Sequence, residues 1–166
     1  MGEIDVRVLD EEDWAQYKQF RLRALEESPE AFVADLATEA EYDEQFWRTR
    51  MRRSARLLAE RDGKPVGILS VRGSDQLFEN AAEIFGLWVD PELRGAGVAA
   101  RLVEAGTEVA TAGRHTQLVY WVGTDNGRGV AFASSYGFRP TEFRRPVKVH
   151  DGDSEEELAM VLALHR

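Results

Sequence analysis

The chain contains no cysteine among its 166 residues, which excludes disulfides, thiolate metal sites and cysteine nucleophiles. Its three histidines, His115, His150 and His165, are scattered and match no metal-ligand spacing, so we predict no metal site. No apolar run approaches the length that spans a membrane, and the N-terminus lacks a signal-peptide pattern. We therefore expect a cytoplasmic protein that does not bind membranes.

Positive charge is also scarce, since 21 lysines and arginines stand against 30 acidic residues and give a formal net charge of −9. Nucleic acids and anionic membranes are bound by clustered Lys and Arg, so this balance argues against both classes of partner. A cationic small substrate is compatible with it. Apolar residues make up 43% of the chain, a globular composition, and the length suits one domain, which we assign to residues 1–166.

The hydrophobic pattern predicts helices and strands in the order β, α, α, β, β, β, α, β, α, β, β. The early strands are joined by a hairpin, because the pair Asp62-Gly63 between two apolar runs is a strong turn signal. Residues 31–54 are predicted to be a second helical region, broken near Tyr42 and Asp43. The chain therefore combines hairpin-linked strands with helices, which indicates a mixed α/β (α+β) fold.

One part of this order fixes the centre of the predicted sheet. A strand at 82–90, a helix from about Arg94 to Gly113 and a strand at 117–122 form one βαβ unit, so the two strands are expected to be parallel. Gly86 lies inside the first of them, where a glycine suggests a bulge. We predict a mixed, mostly antiparallel sheet with one central parallel pair and helices packed on it.

The stretch PELRGAGVAAR, Pro91 to Arg101, joins this first strand to the helix. Gly95 and Gly97 remove the side chains that would keep a ligand away from the backbone. The N–H groups of residues 95–99 can then bind an anion, because a helix N-terminus carries unsatisfied N–H groups and partial positive charge.

Three alternative roles for the two glycines differ in how well they fit the sequence. GAGVAA matches the dinucleotide pattern G-x-G-x-x-A, but five residues separate the strand from Gly95, and the rest of the chain is too short for the further parallel strands. A P-loop is excluded because no Gly-Lys-Ser/Thr follows. Glycine spacing alone does not exclude a purely structural loop.

The surrounding residues resemble the acyl-CoA-binding motif V-x-P-x-x-R-G-x-G-x-G/A of the GNAT superfamily of N-acetyltransferases. Its positions are filled here by Val89, Pro91, Arg94, Gly95, Gly97 and Ala99. A second stretch, NGRGVAFASSYGF, is similar to the looser second motif of that superfamily through Asn126, Gly137 and Phe138. The resemblance covers essentially the whole chain and implies a GNAT fold, with the central parallel strands splayed apart and helices on both faces.

The resemblance also implies how acetyl-CoA binds. Its pyrophosphate is expected on the amides of residues 95–99, with Arg94 at the rim, and its pantetheine arm along the strand that contains Gly86. Asn126 is expected either to reach the pantetheine or to act as a plain helix N-cap. The predicted cofactor contacts are Leu87, Trp88, Val89, Arg94, Gly95, Ala96, Gly97, Val98, Ala99, Asn126 and Phe132.

Two residues are candidates for the proton transfers. Glu83 lies in an otherwise apolar strand, where burial would favour proton uptake by a carboxylate, and it is the predicted base; otherwise it faces water at the strand's end. The family's usual acid, a tyrosine seven residues after the motif Asn, is replaced by Ala133. Tyr136, one helical turn further on, is the predicted substitute, or else it packs beside Phe138.

Together these features predict transfer of an acetyl group from acetyl-CoA to a primary amine by direct attack. The alternative is a non-catalytic acyl-CoA-binding or sensor domain, which the alanine at the tyrosine position suggests. The acceptor, a small molecule or a peptide amine, is expected to contact residues of about 25–45 and the last hairpin. Arg21, within the apolar face of the first helix, either snorkels or reaches that pocket. Family members often form homodimers, although no residue pattern here indicates one.

Overall fold

A computed structural model describes residues 3–29, 35–73, 77–148 and 154–164, and the architecture below refers to these ranges. The strands are β1 (Ile4–Leu9), β2 (Ala55–Arg61), β3 (Lys64–Gly73), β4 (Ala81–Val89), β5 (Gln117–Gly123), β6 (Arg139–Lys148) and β7 (Ser154–Ala163). They form one seven-stranded sheet in the order β1-β2-β3-β4-β5-β7-β6. Two of the three histidines, His150 and His165, lie outside the described ranges.

The helices are α1 (Trp14–Glu27), α2 (Leu36–Ala40), α3 (Glu44–Arg53), α4 (Val98–Ala112) and α5 (Gly127–Tyr136). The break predicted near Tyr42 and Asp43 is confirmed, because Asp43 starts a new helix: its side chain accepts a hydrogen bond from the Phe46 N–H at 2.9 Å. The first residues of the predicted region, 31–34, lie outside the described ranges. No described helix is long and apolar enough to cross a membrane, and no described group of acidic residues and histidines is arranged to hold a metal ion.

The predicted start of the long helix at Arg94 is wrong, because α4 begins at Val98. A 3-10 turn over Pro91–Leu93 follows β4, and a loop containing two glycines follows that turn. Gly95 and Gly97 have φ values of +89° and +87°, in the left-handed region that a right-handed helix does not visit. The glycine segment is therefore a loop that leads into the N-terminus of α4.

The central strands confirm the predicted parallel pair. β4 and β5 pair in parallel up to Ile84 and Tyr120, after which β4 continues to Val89 with no further pairing to β5 in the described ranges. Gly86 has φ +66° and lies where the register between β3 and β4 shifts. This shift is the bulge predicted there, and an added residue in one strand bends it away from its neighbour.

The sheet is covered by helices on both faces, as predicted. On one face α4 and α5 pack on Leu57, Leu69, Ile84 and other buried residues. On the other face α1 and α3 pack on Leu58, Ile68 and Trp88. Neighbouring residues of β2 and β3 thus point to opposite cores, which is the period of two that a strand imposes. The fork, the point after Ile84 and Tyr120 at which β4 and β5 separate, therefore lies between two layers of helices.

Candidate active site

The divergence of β4 and β5 opens a cleft of about 1340 Å³ that is lined from both faces of the sheet. One end is formed by the glycine loop, α4 and α5, and the other by residues of α1, α3 and β2. The charged residues in its wall are Arg21, Arg50, Arg56, Arg94, Arg128, Arg145, Glu156 and Glu157. Arginines thus dominate the cleft of a chain whose net charge is −9, a lining that does not favour a cationic substrate.

The glycine loop leaves a row of backbone donors open at one end of the cleft. A Cβ built on Gly95 or on Gly97 would meet no atom within 4 Å, so both residues border open space. Gly97 is the N-cap of α4 and has no side chain that could satisfy the first N–H groups. Among the described residues, no acceptor takes the N–H groups of Gly95, Gly97, Val98 and Ala99, all of which line the cleft.

The other two predicted residues of this loop behave differently from each other. The Ala96 N–H donates to the Leu93 carbonyl at 3.1 Å, and Ala96 is absent from the described cleft wall. Arg94 does line the cleft, and its Nε donates to the Val89 carbonyl at 3.3 Å. The loop therefore offers one fixed cation and the amides on either side of Ala96.

The end of β4 presents an unpaired strand edge to the same cleft. The predicted contacts Leu87, Trp88 and Val89 all line it, and none of them pairs with β5. The Trp88 side chain is only 2% exposed, and its Nε1 donates to Ser28 Oγ at 2.9 Å. Trp88 is therefore committed to the core by its side chain and can serve a ligand through its backbone.

Asn126 and Phe132 form the α5 side of the cleft. Asn126 is the N-cap of α5, since its Oδ1 accepts the Gly129 N–H at 3.0 Å. A Cβ at Gly129 would lie 2.5 Å from Asn126 Nδ2 and 2.9 Å from a Val122 methyl. The glycine at position 129 is thus explained by the close approach of the capping side chain.

Tyr136, the predicted acid, lies in the cleft wall at the end of α5. Its ring packs beside those of Phe132 and Phe138, with centroids 6.3 and 6.0 Å away. Burial and the negative charge of Glu104 raise the pKa of Tyr136, while a hydrogen bond with Thr107 acts against them. Its hydroxyl therefore contacts α4, and its ring packs beside Phe138 in the cleft wall.

A second tyrosine, Tyr120, was missed by sequence reasoning and lies at the fork itself. It is the β5 residue of the last β4–β5 pair, opposite Ile84, and it lines the cleft. Burial, followed by the negative charge of Glu157, raises the pKa of Tyr120 to about 12. The available signal was a hydroxyl-bearing residue inside the apolar run QLVYWV, whose place at the fork depends on the register of two strands.

Glu83, the predicted base, is not in the described cleft wall. Its side chain is buried and forms ion pairs with Arg72 and, at 3.6 Å, with Arg145. Glu83 therefore does not face water, the alternative to the catalytic role, and its carboxylate is held by two arginines. Two carboxylates do line the cleft, those of Glu156 and Glu157, and Glu157 accepts a hydrogen bond from Arg145 Nε at 2.8 Å.

The end of the cleft opposite the glycine loop is built on arginines from separate elements. Arg21 of α1 lines the cleft and shares the buried carboxylate of Glu39 with Arg50 of α3, at 3.1 and 2.8 Å. Burial alone would raise the pKa of Glu39, but the two arginines outweigh it and lower that pKa. Arg21 thus lines the cleft, where its guanidinium is held by the buried carboxylate of Glu39.

This combination of a splayed parallel pair, an open helix N-terminus and an unpaired strand edge defines an acyltransferase-type cleft. A sequence profile described as the Acetyltransferase (GNAT) family matches residues 12–138. The chain therefore belongs to the GNAT acetyltransferase family, whose acyl donor is acetyl-CoA.

Curated relatives are partial matches. The chain is 35% identical over 89 residues to an uncharacterised N-acetyltransferase of Archaeoglobus fulgidus, covering 52% of this chain and 60% of that protein. It is 28% identical over 99 residues to an uncharacterised N-acetyltransferase of Methanocaldococcus jannaschii, covering 58% of this chain and 44% of that protein. The matched region thus spans about half the length of these relatives.

Solved structures match the fold over nearly the whole chain. A GNAT acetyltransferase from Streptococcus pneumoniae has a TM-score of 0.76 at 19% identity and covers 97% of this chain and 99% of its own. A putative acetyltransferase from Salmonella typhimurium, solved with its cofactor acetyl-CoA, has a TM-score of 0.72 at 20% identity, with 98% and 95% covered. At these identities the likeness establishes the fold.

Proposed function

We propose that the protein transfers the acetyl group of acetyl-CoA to a primary amine by direct attack, as an N-acetyltransferase. The observation that carries this proposal is the continuity of the cleft. It joins open amides at the N-terminus of α4 to the unpaired edge of β4 and then to the end lined by Arg21, Arg50 and Arg56. A donor and an acceptor can therefore approach from opposite ends and meet at the fork.

The residues present fit acetyl-CoA. Four amides of the glycine loop and the guanidinium of Arg94 suit a pyrophosphate, which is bound well by a helix N-terminus. The edge of β4 over 85–89 suits the amides of a pantetheine arm, since an extended chain adds to an open strand edge. Acetyl-CoA would supply an acetyl group already activated as a thioester.

The chain must then orient the amine and accept its proton. Orientation alone contributes several kcal/mol, up to about 7–11. We propose that Glu157, directly or through a water, takes the proton from the amine, because it lies in the cleft wall and its charge acts on Tyr120 at the fork. The role predicted for Glu83 is untested, and its two arginine partners favour a structural role.

A proton donor for the departing sulfur is needed at the same place. We propose Tyr120, because its phenol stays protonated up to about pH 12 and lies at the fork. Tyr136 is the second candidate, since it also lines the cleft, but its hydroxyl is engaged with Thr107. The two are separated by comparing Tyr120→Phe with Tyr136→Phe, the larger fall in kcat identifying the donor.

The proposal is tested by release of free CoA from acetyl-CoA in the presence of amine acceptors. A thiol-reactive chromophore suits this assay, because the chain has no cysteine of its own to react. We expect release that depends on an amine, together with a rise in Tm caused by acetyl-CoA and CoA and not by NAD. A ligand at 100 times its Kd adds about 2.7 kcal/mol of stability.

A non-catalytic acyl-CoA sensor is the second candidate, and one observation favours it. Ala133, where the family has its usual tyrosine, is completely buried and offers no proton donor. The sensor interpretation predicts the same rise in Tm with no amine-dependent release of CoA across a broad acceptor panel. Amine-dependent release would contradict it.

A further inference from the structure

One arginine in the cleft, Arg56 of β2, has no charged partner among the residues that the structure describes. Its side chain is only 6% exposed, yet it belongs to the cleft wall. Nη1 donates to Ser70 Oγ at 2.7 Å, and Nε and Nη2 donate to the Arg50 carbonyl at 3.3 and 3.0 Å. These bonds leave one N–H on each terminal nitrogen without a partner in the described ranges.

The surroundings of Arg56 make this buried charge unfavourable. Burial lowers the pKa of Arg56, and the positive charges of Arg50, Arg21 and Arg72 lower it further. The carboxylate that neutralises Arg21 and Arg50, that of Glu39, is already shared by these two arginines. A buried cation without a counter-ion is costly to a fold, so its presence in a cleft wall points to an anion that arrives with a ligand.

Arg56 lies close to the fork between β4 and β5, where the donor and the acceptor are proposed to meet. Its guanidinium lies over the Phe85 ring at 5.4 Å, and its partner Ser70 Oγ lies 3.9 Å from the place of a Cβ on Gly86. Phe85 and Gly86 are the residues at which β4 leaves β5. The free N–H groups are therefore next to the fork, on the side opposite the glycine loop.

We propose that Arg56 binds the carboxylate of the acceptor, and that the acceptor is a small amine with a carboxylate within a few bonds of its nitrogen, as in an α-amino acid. This inference rests on the proposed acetyl transfer. Because Arg56 lies close to the fork, the carboxylate that it binds and the nitrogen that reacts should be only a few bonds apart in the acceptor. A planar guanidinium with N–H groups on both terminal nitrogens matches a carboxylate geometrically.

The test compares α-amino acids with the amines that lack only their carboxylate. The pairs are phenylalanine and phenethylamine, tyrosine and tyramine, tryptophan and tryptamine, histidine and histamine, and leucine and isopentylamine. Release of CoA gives kcat and KM for each, and the rise in Tm of the CoA-loaded protein reports binding without turnover. We expect at least one amino acid to exceed its amine about tenfold to hundredfold in kcat/KM.

The variants are Arg56→Gln, Arg56→Lys and, as a matched control, Arg53→Gln, an exposed arginine at the end of α3. In Arg56→Gln we expect the amino-acid preference to disappear through a rise in KM for the amino acid, with unchanged KM for acetyl-CoA and a much smaller loss on the matching amine. Arg53→Gln keeps the preference. If Arg56→Gln does not fold, Arg56→Lys serves instead. Lysine keeps the positive charge but lacks the planar pair of N–H donors of the guanidinium, so the preference for the amino acid should fall without vanishing.

Several results would overturn the inference while leaving acetyl transfer intact. For the native protein, they are equal or better activity on the carboxylate-free amines, or acetylation of acidic peptides alone. For Arg56→Gln, they are an unchanged preference for the amino acids, or an equal loss of activity on both members of each pair. So would a panel in which acetyl-CoA raises Tm but no amino acid is acetylated or adds to the Tm of the CoA-loaded protein. If acetyl-CoA itself does not raise Tm, the proposed function fails first.

Discussion

Replacing Gly97 with alanine separates the role of the glycine loop in cofactor binding from its role in the fold. Gly97 has φ +87°, and a Cβ there would meet no atom within 4 Å, so the methyl group would point into the open cleft. A non-glycine residue in this conformation costs about 1–2 kcal/mol. For a domain of this size, that cost lowers Tm by about 2–8 °C.

Gly63, in the turn between β2 and β3, is a matched control for this substitution. It has φ +78° and equally open surroundings, but it lies in a hairpin turn outside the described cleft wall. Gly63→Ala should therefore lose the same stability and keep its affinity for acetyl-CoA. In Gly97→Ala we expect the Kd to rise about tenfold to hundredfold, because charge-assisted hydrogen bonds of about 1.5–3 kcal/mol are disturbed.

The assay is titration calorimetry with acetyl-CoA on both variants, after their thermal melts have been compared. Equal losses of Tm with a loss of affinity in Gly97→Ala alone are the expected result. Equal affinities in the two variants would instead show that Gly97 is a structural glycine like Gly63, with no part in cofactor binding.

Three further substitutions test the interior of the site. Tyr120→Phe should lower kcat at unchanged KM for acetyl-CoA. The raised pKa of Tyr120, about 12 against an ordinary 10.0, is expected to stabilise the native protein below pH 10 by about 2.7 kcal/mol, and this stabilisation is lost as the pH rises from 10 to 12. Tyr120→Phe should abolish this pH dependence, and a native stability that is flat between pH 10 and pH 12 would contradict the raised pKa. Glu83→Gln should lower Tm and reduce kcat less than tenfold, whereas a fall of about a hundredfold or more at unchanged Tm would instead identify Glu83 as the base. Glu39→Gln should lower Tm by about 6–20 °C, since it leaves Arg21 and Arg50 without their shared carboxylate at a cost of about 3–5 kcal/mol; a change within 2 °C in a melting scan would show that the two arginines are satisfied elsewhere.

The parts of the fold that could be predicted from sequence are those that local patterns encode. The Asp62-Gly63 turn has φ values of +52° and +78°, as a tight hairpin requires, and the apolar run of β5 is covered on both faces. The start of α4 was misplaced because the sequence alone does not show which backbone conformation a glycine adopts. The positive φ of Gly95 and Gly97 keeps both residues out of the helix, which therefore begins at Val98.

The arrangement of arginines at the end of the cleft opposite the glycine loop could not be predicted, because no local sequence pattern brings these residues together. Arg21, Glu39, Arg50 and Arg56 come from four different elements, α1, α2, α3 and β2. Their proximity follows from how these helices pack on the sheet, which the sequence periodicity does not determine. For the same reason Glu83 looked like a lone carboxylate in an apolar strand, although it pairs with arginines from β3 and β6.

Amide NMR of the 18.7 kDa chain shows where acetyl-CoA binds, residue by residue. Titration with acetyl-CoA is predicted to shift the N–H signals of Gly95, Gly97, Val98 and Ala99 most strongly, with those of residues 85–89 next. Signals of the β2–β3 turn should stay in place. Strong shifts confined to other parts of the chain, or no shift at saturating acetyl-CoA, would contradict the account.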